Sequence, residues 1–517
     1  MLRPTELLSF AAAHFVAHPV LYVLLLLALW AARNSRLGAP PGPFELPILG
    51  ALPFLLRHHA DILTGVLAQS RAASFKTWSV KWLGEKRFIM TTSPKNLEYI
   101  LKTRFENFPK GPTFNSTLAD LLGRGIFASD GPRWKRQRQL FSHIFSEQSF
   151  RSVIVESFAE NGVVLEKVLR AAAESGEPLD MQSLFHRFTL DSIGKIAFGL
   201  SLGTLERPSA EAAGFAAAFD AAQAVVESRF FTPGWRGLKC CLRRERALPA
   251  HLATLHRFCD GLIRARREAG DCGARTDVLS RAMALRDDDT GALLFGDDDA
   301  ALRDILLNFL IAGRDTTAQA LSWAVLCVAR AGGAVAQALA EEGAAVPQDN
   351  PNRFFVPFEA VGRDLRYAKA VTLETLRLFP SVPKDLKEAL QADTLPDGSR
   401  VPAGALVAYL PYVMGRSEEL WGANAESFMP ERFMPPAPPP SPWLLPAFNG
   451  AGPRTCLGQG MALVEASFVL ALIYRRFTLT LCPAEQGAPG GVALQNSLTL
   501  PQARGVTMRV GLRLDAA

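Results

Sequence analysis

Cys456 ends the glycine-rich run Phe448-Asn449-Gly450-Ala451-Gly452-Pro453-Arg454-Thr455 and is followed by Leu457 and Gly458. Gln459 to Leu472 (QGMALVEASFVLAL) then runs at helical period, so the loop delivers one thiol to the mouth of a helix. Unpaired N–H groups and a partial positive charge face that position, which favours thiolate over thiol. Gly452 and Gly458 remove side-chain bulk and would let a flat cofactor lie against backbone. Arg454, two residues before the sulfur, could pair with an anionic group on that cofactor. The chemistry this arrangement suits is a single thiolate as axial ligand of a haem iron. Taken alone, Cys456 also reads as the commoner case, a buried free cysteine before a helix.

Other chemistry-bearing groups lie far away in the chain. Ala312-Gly313-Arg314-Asp315-Thr316-Thr317 interrupts an apolar helical pattern, and polar groups inside a buried helix are costly unless paired. A groove beside Gly313 could seat dioxygen, with Asp315 and Thr316 passing protons to it. The plainer reading is a kink in which the threonines bond back to their own carbonyls. Trp134 and Arg138, four apart in WKRQR, share a helix face and could hold a carboxylate such as a haem propionate. Alone they are a solvated basic helix. Glu374 and Arg377 form an i, i+3 acid–base pair in an apolar stretch; buried, the pair needs a further partner, and Arg432 of PERF is the candidate.

These groups require elements to hold them. A helix from about Leu302 to Ala329 would be roughly 42 Å long and cross a whole domain. Ser74 to Thr91 alternates as a hairpin, and the pattern from Pro94 onward is largely helical. Asp287 to Asp299 is an acidic surface loop, Leu395 to Ser399 a turn between short strands, and Val506 to Leu514 a closing strand with one buried face. Leu7 to Ala32 carries no Asp, Glu, Lys or Arg, long enough to cross a bilayer, and Arg33 and Arg36 follow it. The expected organisation is a membrane anchor over 1–36, a proline-rich strap over 37–50 and a catalytic domain over 51–517. A cleaved signal peptide fits less well, because its apolar region is normally shorter.

Composition excludes several classes. With 56 basic and 50 acidic residues, the net charge of +6 is too mild, and too evenly spread, for a nucleic-acid binder. It suits an anionic membrane surface or an acidic electron donor better. Seven cysteines without short repeated spacing argue against a disulfide framework or a zinc site. No histidine lies beyond His256, which excludes a histidine-ligated metal centre in the C-terminal half.

Taken in order, the anchor and strap, WKRQR at 134–138, AGRDTT at 312–317, ETLR at 374–377, PERF at 430–433 and GPRTCLG at 452–458 resemble the cytochrome P-450 haem-thiolate monooxygenases over the whole chain. The resemblance implies a mainly α fold with small β-sheets behind an N-terminal transmembrane helix. It implies haem b on Cys456, propionates held by Trp134, Arg138, Arg454 and Lys387, and oxygen activation by Asp315 and Thr316. Glu374, Arg377 and Arg432 would form the structural network behind the haem. NADPH–cytochrome reductase would supply electrons, with the catalytic domain on the cytosolic side of the endoplasmic reticulum membrane. LRLFPSVPKDLKEAL, LPDGSRVPAG and MGRSEELWG look most like the branch of plant and yeast fatty-acid ω-hydroxylases. The implied substrate is a long-chain fatty acid or similar lipid, in a channel including Phe114, Ile311, Ala312, Val382 and Pro383. The alternatives are a terpenoid, sterol or alkane substrate, a hydroperoxide isomerase, or a non-catalytic haem sensor. One departure stands out: the family pattern places an aromatic seven residues before the cysteine, where this chain has Asn449. Phe448 is eight before, as if one residue were inserted, and a compensating bulge is expected.

Overall fold

The long helix expected in the middle of the chain is Asp299–Ala331, three residues longer at its start and two at its end than the apolar pattern suggests. Asp298 caps it by accepting from the Ala301 N–H, which extends it into polar sequence. The computed structural model describes residues 40–513 apart from 47–48, 83–85, 233, 287–290, 292, 296–297, 351 and 484–492. The expected anchor over 1–36, the start of the strap and much of the acidic loop lie outside the described residues. Among those described, no helix is long and apolar enough to cross a membrane.

The helices that matter for the site are α1 (Gly111–Leu122), α2 (Gly131–Ser146), α3 (Met181–Ile193) and α4 (Ala210–Ser228). They are joined by α5 (Asp299–Ala331), α6 (Arg366–Leu378) and α7 (Gln459–Tyr474). Helix α7 is apolar on all sides and buried from Val464 to Tyr474, as a helix through the middle of a core must be. Helix α3 lies along α5 at close range: a Cβ on Gly313 would stand 2.6 Å from Ile193 Cδ1. Gly313 therefore admits a neighbouring helix, and the groove expected beside it is filled on that side by Ile193.

The strands are few and short: β1 (Trp78–Lys81), β2 (Arg87–Thr91), β3 (Leu179–Asp180), β4 (Asp385–Glu388), β5 (Asp393–Thr394), β6 (Arg400–Val401), β7 (Leu406–Tyr409), β8 (Phe477–Leu481) and β9 (Thr507–Leu512). The expected hairpin is β1–β2, antiparallel with Trp78 opposite Met90. It joins β7 and β4 in the order β1-β2-β7-β4; β3-β9-β8 and β5-β6 make the other sheets. The closing strand β9 and the turn between β5 and β6 lie where their patterns predict. The fold is mainly helical with small sheets.

Behind α7, Arg377 of α6 is fully buried and donates twice to Glu374, at 2.7 Å each. Its other hydrogens go to the carbonyls of Gly415, Ala425 and Ser427. Every strong donor and acceptor of the pair is thereby used, the condition under which a buried ion pair is tolerable. The chain crosses this pair so closely that a Cβ on Gly415 would sit 1.8 Å from the Arg377 carbonyl oxygen. Gly415→Ala is expected to lower stability by about 3 kcal/mol or more, because the clash is with backbone and cannot be rotated away. A thermal melt of that variant matching the wild type would refute this account.

Candidate active site

Cys456 is exposed in its side chain although it stands just before the buried helix α7. The N–H groups of Gly458 and Gln459 point at its sulfur, and the Arg138 guanidinium lies near. Burial within the protein nevertheless pushes the thiol above its ordinary pKa, and these donors recover only part of the loss. The helix N–H groups and the guanidinium favour the thiolate, as expected, while burial opposes it. A cation bonded to the sulfur would fix the thiolate, since a coordinating thiol is deprotonated outright.

The loop is held from several sides. Arg138 of α2 donates to the Thr455 carbonyl at 2.6 Å. Arg454 donates to Asp130 at 2.6 Å and to the Ser129 carbonyl at 3.0 Å, and its guanidinium lies 4.3 Å over the Trp134 ring. Trp134, Arg138 and Arg454 thus meet at the cysteine loop, while Lys135 and Arg136 on the same helix face solvent. The Arg454 Nε is buried and without a hydrogen-bond partner. A Cβ on Gly458 would have only the Cys456 sulfur near it, at 3.9 Å, so that side of the loop is open to a flat group. Gly452 differs from the expectation: its missing Cβ leaves room for the Leu101 carbonyl oxygen, 2.0 Å from where that atom would be. Its role is backbone contact.

The apparent insertion is absorbed locally. Asn449 and Gly450 are consecutive residues with φ of 67°, the left-handed region where Asn and Gly are tolerated. The Cys456 N–H still reaches the Phe448 carbonyl at 3.0 Å. Asn449 donates to the Arg454 carbonyl at 2.9 Å, and its Oδ1 lies against the Tyr409 hydroxyl. Tyr409 in turn donates to Asp385 at 2.6 Å, where Lys110 and Lys387 also donate, each at 2.7 Å. Burial would raise Asp385, but the two ammonium groups hold it well below the usual carboxylate range. Burial pulls Lys387 down to about 7. Lys387, expected beside a propionate, has its charge taken up by Asp385, and the cluster ties the β-sheet to the cysteine loop. Asp385, Tyr409 and Lys110 carry no local sequence signal that could have marked them.

On α5, Ala312, Gly313 and Thr316 are only half-buried where their neighbours are buried, so one stripe of the helix is uncovered. Thr316 Oγ1 donates to the Ala312 carbonyl at 2.6 Å, the back-bonding that a polar residue inside a helix allows. The Thr316 carbonyl accepts from Ser381 Oγ at 2.6 Å, which places Val382 and Pro383 beside this stripe. Val382 is exposed, while Pro383, Ile311 and Phe114 are buried, Phe114 beneath the Lys110 ammonium and beside Phe230. Asp315 is turned the other way. Its carboxylate accepts from Gln223 of α4 at 2.6 Å and from Arg314 at 3.3 Å, with His186 Nδ1 at 3.6 Å. Burial pushes Asp315 up and His186 down, the latter to about 4, so His186 is neutral near pH 7. The structure sets the two expected proton-transfer residues on different sides of α5. Arg432 stands 3.5 Å from Glu374 and donates to the Asn424 carbonyl at 2.7 Å, so the expected triad is assembled behind the loop.

The sequence pattern of the family described as Cytochrome P450 matches residues 40–502. Cytochrome P450 704B1 of Arabidopsis thaliana is 34% identical over 498 residues, covering 88% of this chain and 91% of that protein. Cytochrome P450 monooxygenase cyp1 of Mycosarcoma maydis is 33% identical, covering 91% and 75%. Cytochrome P450 94B3 of Arabidopsis thaliana is 33% identical over 98% of both chains.

One buried acid went unnoticed in the sequence. Glu465 of α7 lies beside Ser192 of α3 and Thr317 of α5, and burial raises its pKa to about 8. The folded protein therefore keeps a proton that the unfolded chain releases from about pH 4.5 upward, so wild-type stability falls as pH rises through that window. Glu465→Gln, which cannot ionise, should match the wild type near pH 4.5 and gain on it by up to ~1.4 kcal/mol per pH unit toward pH 8. Melting curves whose separation stays constant across that range would disprove it.

Proposed function

This chain belongs to the cytochrome P450 family, and on that premise we propose that it hydroxylates a long-chain fatty acid or related lipid at or near its terminal carbon. Members of the family are haem-thiolate monooxygenases that take electrons from a reductase and act with dioxygen on apolar substrates. The observation that carries the reading for this chain is the exposed Cys456 thiol at the head of α7. Haem fits the residues present. Two helix N–H groups and a guanidinium face the sulfur, Gly458 leaves a face open, and Arg138, Arg454 and Trp134 meet at the loop. When bound, thiolate-ligated haem supplies activation of dioxygen for insertion into a C–H bond.

The chain's own groups have the following parts. Cys456 is the iron ligand, with Arg138 and Arg454 as the cations for the propionates. Thr316, on the uncovered stripe of α5, holds a proton at Oγ1 for oxygen, and releasing its bond to the Ala312 carbonyl frees that hydroxyl to donate. Asp315, held by Gln223 on the other side of the helix, is the acid that would take part in proton delivery once its carboxyl turns toward Thr316. Ala312, Ile311, Val382, Pro383 and Phe114 form the apolar approach to Thr316. Glu374, Arg377 and Arg432 keep the segment that leads to the loop in place. The apolar run from Leu7 to Ala32, followed by Arg33 and Arg36, anchors the domain on the cytosolic face of the endoplasmic reticulum membrane, within reach of NADPH–cytochrome reductase. The lipid substrate is supported by the motif likeness to the ω-hydroxylase branch.

Four measurements test this. The carbon monoxide difference spectrum of the reduced protein should show a Soret band far to the red; a histidine-type position would overturn the ligand assignment. Cys456→Ala should retain no haem. Thr316→Ala should keep the haem but divert most NADPH electrons to peroxide, and unchanged coupling would remove Thr316 from the mechanism. With a reductase, NADPH and long-chain fatty acids, the product should be the ω-hydroxy acid. A coupled enzyme that leaves fatty acids untouched and oxidises a sterol or terpenoid would end the lipid reading.

A further inference from the structure

Cys240 and Cys241 are adjacent in the chain, both are exposed, and their sulfurs stand 3.7 Å apart. They lie in the turn between the short helix Trp235–Leu238 and the long helix Arg243–Ala269. The Leu238 carbonyl closes that turn, accepting from the Cys241 N–H at 2.9 Å and the Leu242 N–H at 3.1 Å. Both flanks are tied down. Lys239 donates to Asp120 of α1 at 3.0 Å, and Glu245 accepts twice from the buried Arg229, at 2.8 Å each. Arg229 also donates to Asp120, at 2.6 Å. The pair is therefore presented on a braced turn, away from the cysteine loop and the uncovered stripe of α5. No other two cysteines of the chain are neighbours in sequence.

Geometry limits what two sulfurs at this spacing can do. A relaxed disulfide needs Cα atoms about 4.4–6.8 Å apart, whereas a trans peptide fixes neighbouring Cα atoms at about 3.8 Å. The peptide joining Cys240 to Cys241 is trans, so a disulfide between them would be strained and readily reduced. A single soft ion makes a different demand. Two bonds of ~2.3 Å, opened between a right angle and the tetrahedral angle, set their sulfurs about 3.3–3.8 Å apart. The observed gap falls inside that span with no movement of the backbone. Ions that need a full protein cage are not served, because among the described residues no group of three or more His, Cys, Asp or Glu is placed to hold a metal. We propose that Cys240 and Cys241 form a vicinal dithiol site for a thiophilic ion satisfied by two protein sulfurs, trivalent arsenic being the class that fits. When arsenous acid binds, two S–H and two As–O bonds break and two As–S bonds form. Both thiol protons leave in the two waters released, and no electron is transferred. The inference is independent of the substrate reading above.

The test uses the purified haem-loaded enzyme and phenylarsine oxide, followed by native mass spectrometry. Wild type should take up one arylarsine per chain with loss of one water, hold it against excess glutathione, and release it to 1,2-ethanedithiol. Attachment at two points gains about 10²–10⁴ over attachment at one, so Cys240→Ser and Cys241→Ser should each weaken retention under glutathione by at least ~100-fold. Cys272→Ser, which removes a single half-buried thiol, should match the wild type. Haem content and the carbon monoxide spectrum report the folding of each variant, and that spectrum should not change when the arsenical binds. A wild type that yields the arsenical to glutathione would overturn the proposal, as would a serine variant at 240 or 241 that holds it equally well. Loss of the carbon monoxide signal in step with uptake would put the arsenical on Cys456 and overturn it too. So would a purified enzyme that lacks both thiol hydrogens and binds only after reduction, since that would show a stable 240–241 disulfide.

Discussion

The sulfur of Cys456 sits where its surroundings oppose its ionisation, and much of the neighbouring structure serves to keep it there. Burial outweighs two helix N–H groups and a guanidinium. A bond to a cation would fix the negative charge on the sulfur, and that bond would draw on a loop already fixed by Arg138, Arg454 and the Asn449–Tyr409 contact. Little reorganisation is left to oppose the bond, which is what a site built to hold one group in one orientation requires.

That rigidity is distributed. Behind the loop, Glu374 and Arg377 are buried together with all their strong hydrogen-bonding positions engaged, three of the partners being backbone carbonyls between 415 and 427. Removing either member would strand the other charge, at a cost of about 3–5 kcal/mol. The pair therefore acts as a clamp on the segment that leads to Cys456. On the sheet side, Asp385 gathers Lys110, Lys387 and Tyr409 and carries the constraint to Asn449. Two clusters of opposite charges, neither part of the chemistry, hold the loop from two directions.

Helix α5 serves three neighbours along one turn. Gly313 lets α3 approach, Thr316 lies on the uncovered stripe, and Asp315 faces α4. Successive helix residues project about 100° apart, so a run such as Gly313 to Thr316 can address all three only because each has a different kind of neighbour. The polar character that looked anomalous in an apolar helix is the sum of those separate contacts. These contacts continue through Gln223 to the buried Glu227 of α4.

From residue order alone, the long central helix, the hairpin, the closing strand, the apolar helix after Cys456 and the grouping of its motifs could be read, because each depends on periodicity or short spacing. The extra residue at Asn449 was also visible, since it alters a local count. What needed the tertiary structure was every pairing across the chain. The roles of Gly452 and Gly313 depend on Leu101 and Ile193, hundreds or scores of residues away, and glycine looks the same whether a cofactor or a carbonyl fills the space. Lys387 has Asp385 two residues before it on the same strand face, yet it resembled a free cation until Lys110 and Tyr409 closed the buried cluster around that carboxylate, and the charge on Cys456 depends on burial as well as on its donors. Local sequence determines which groups are available and in what secondary structure; desolvation and partner choice arise only when distant segments pack, and those decide their charge.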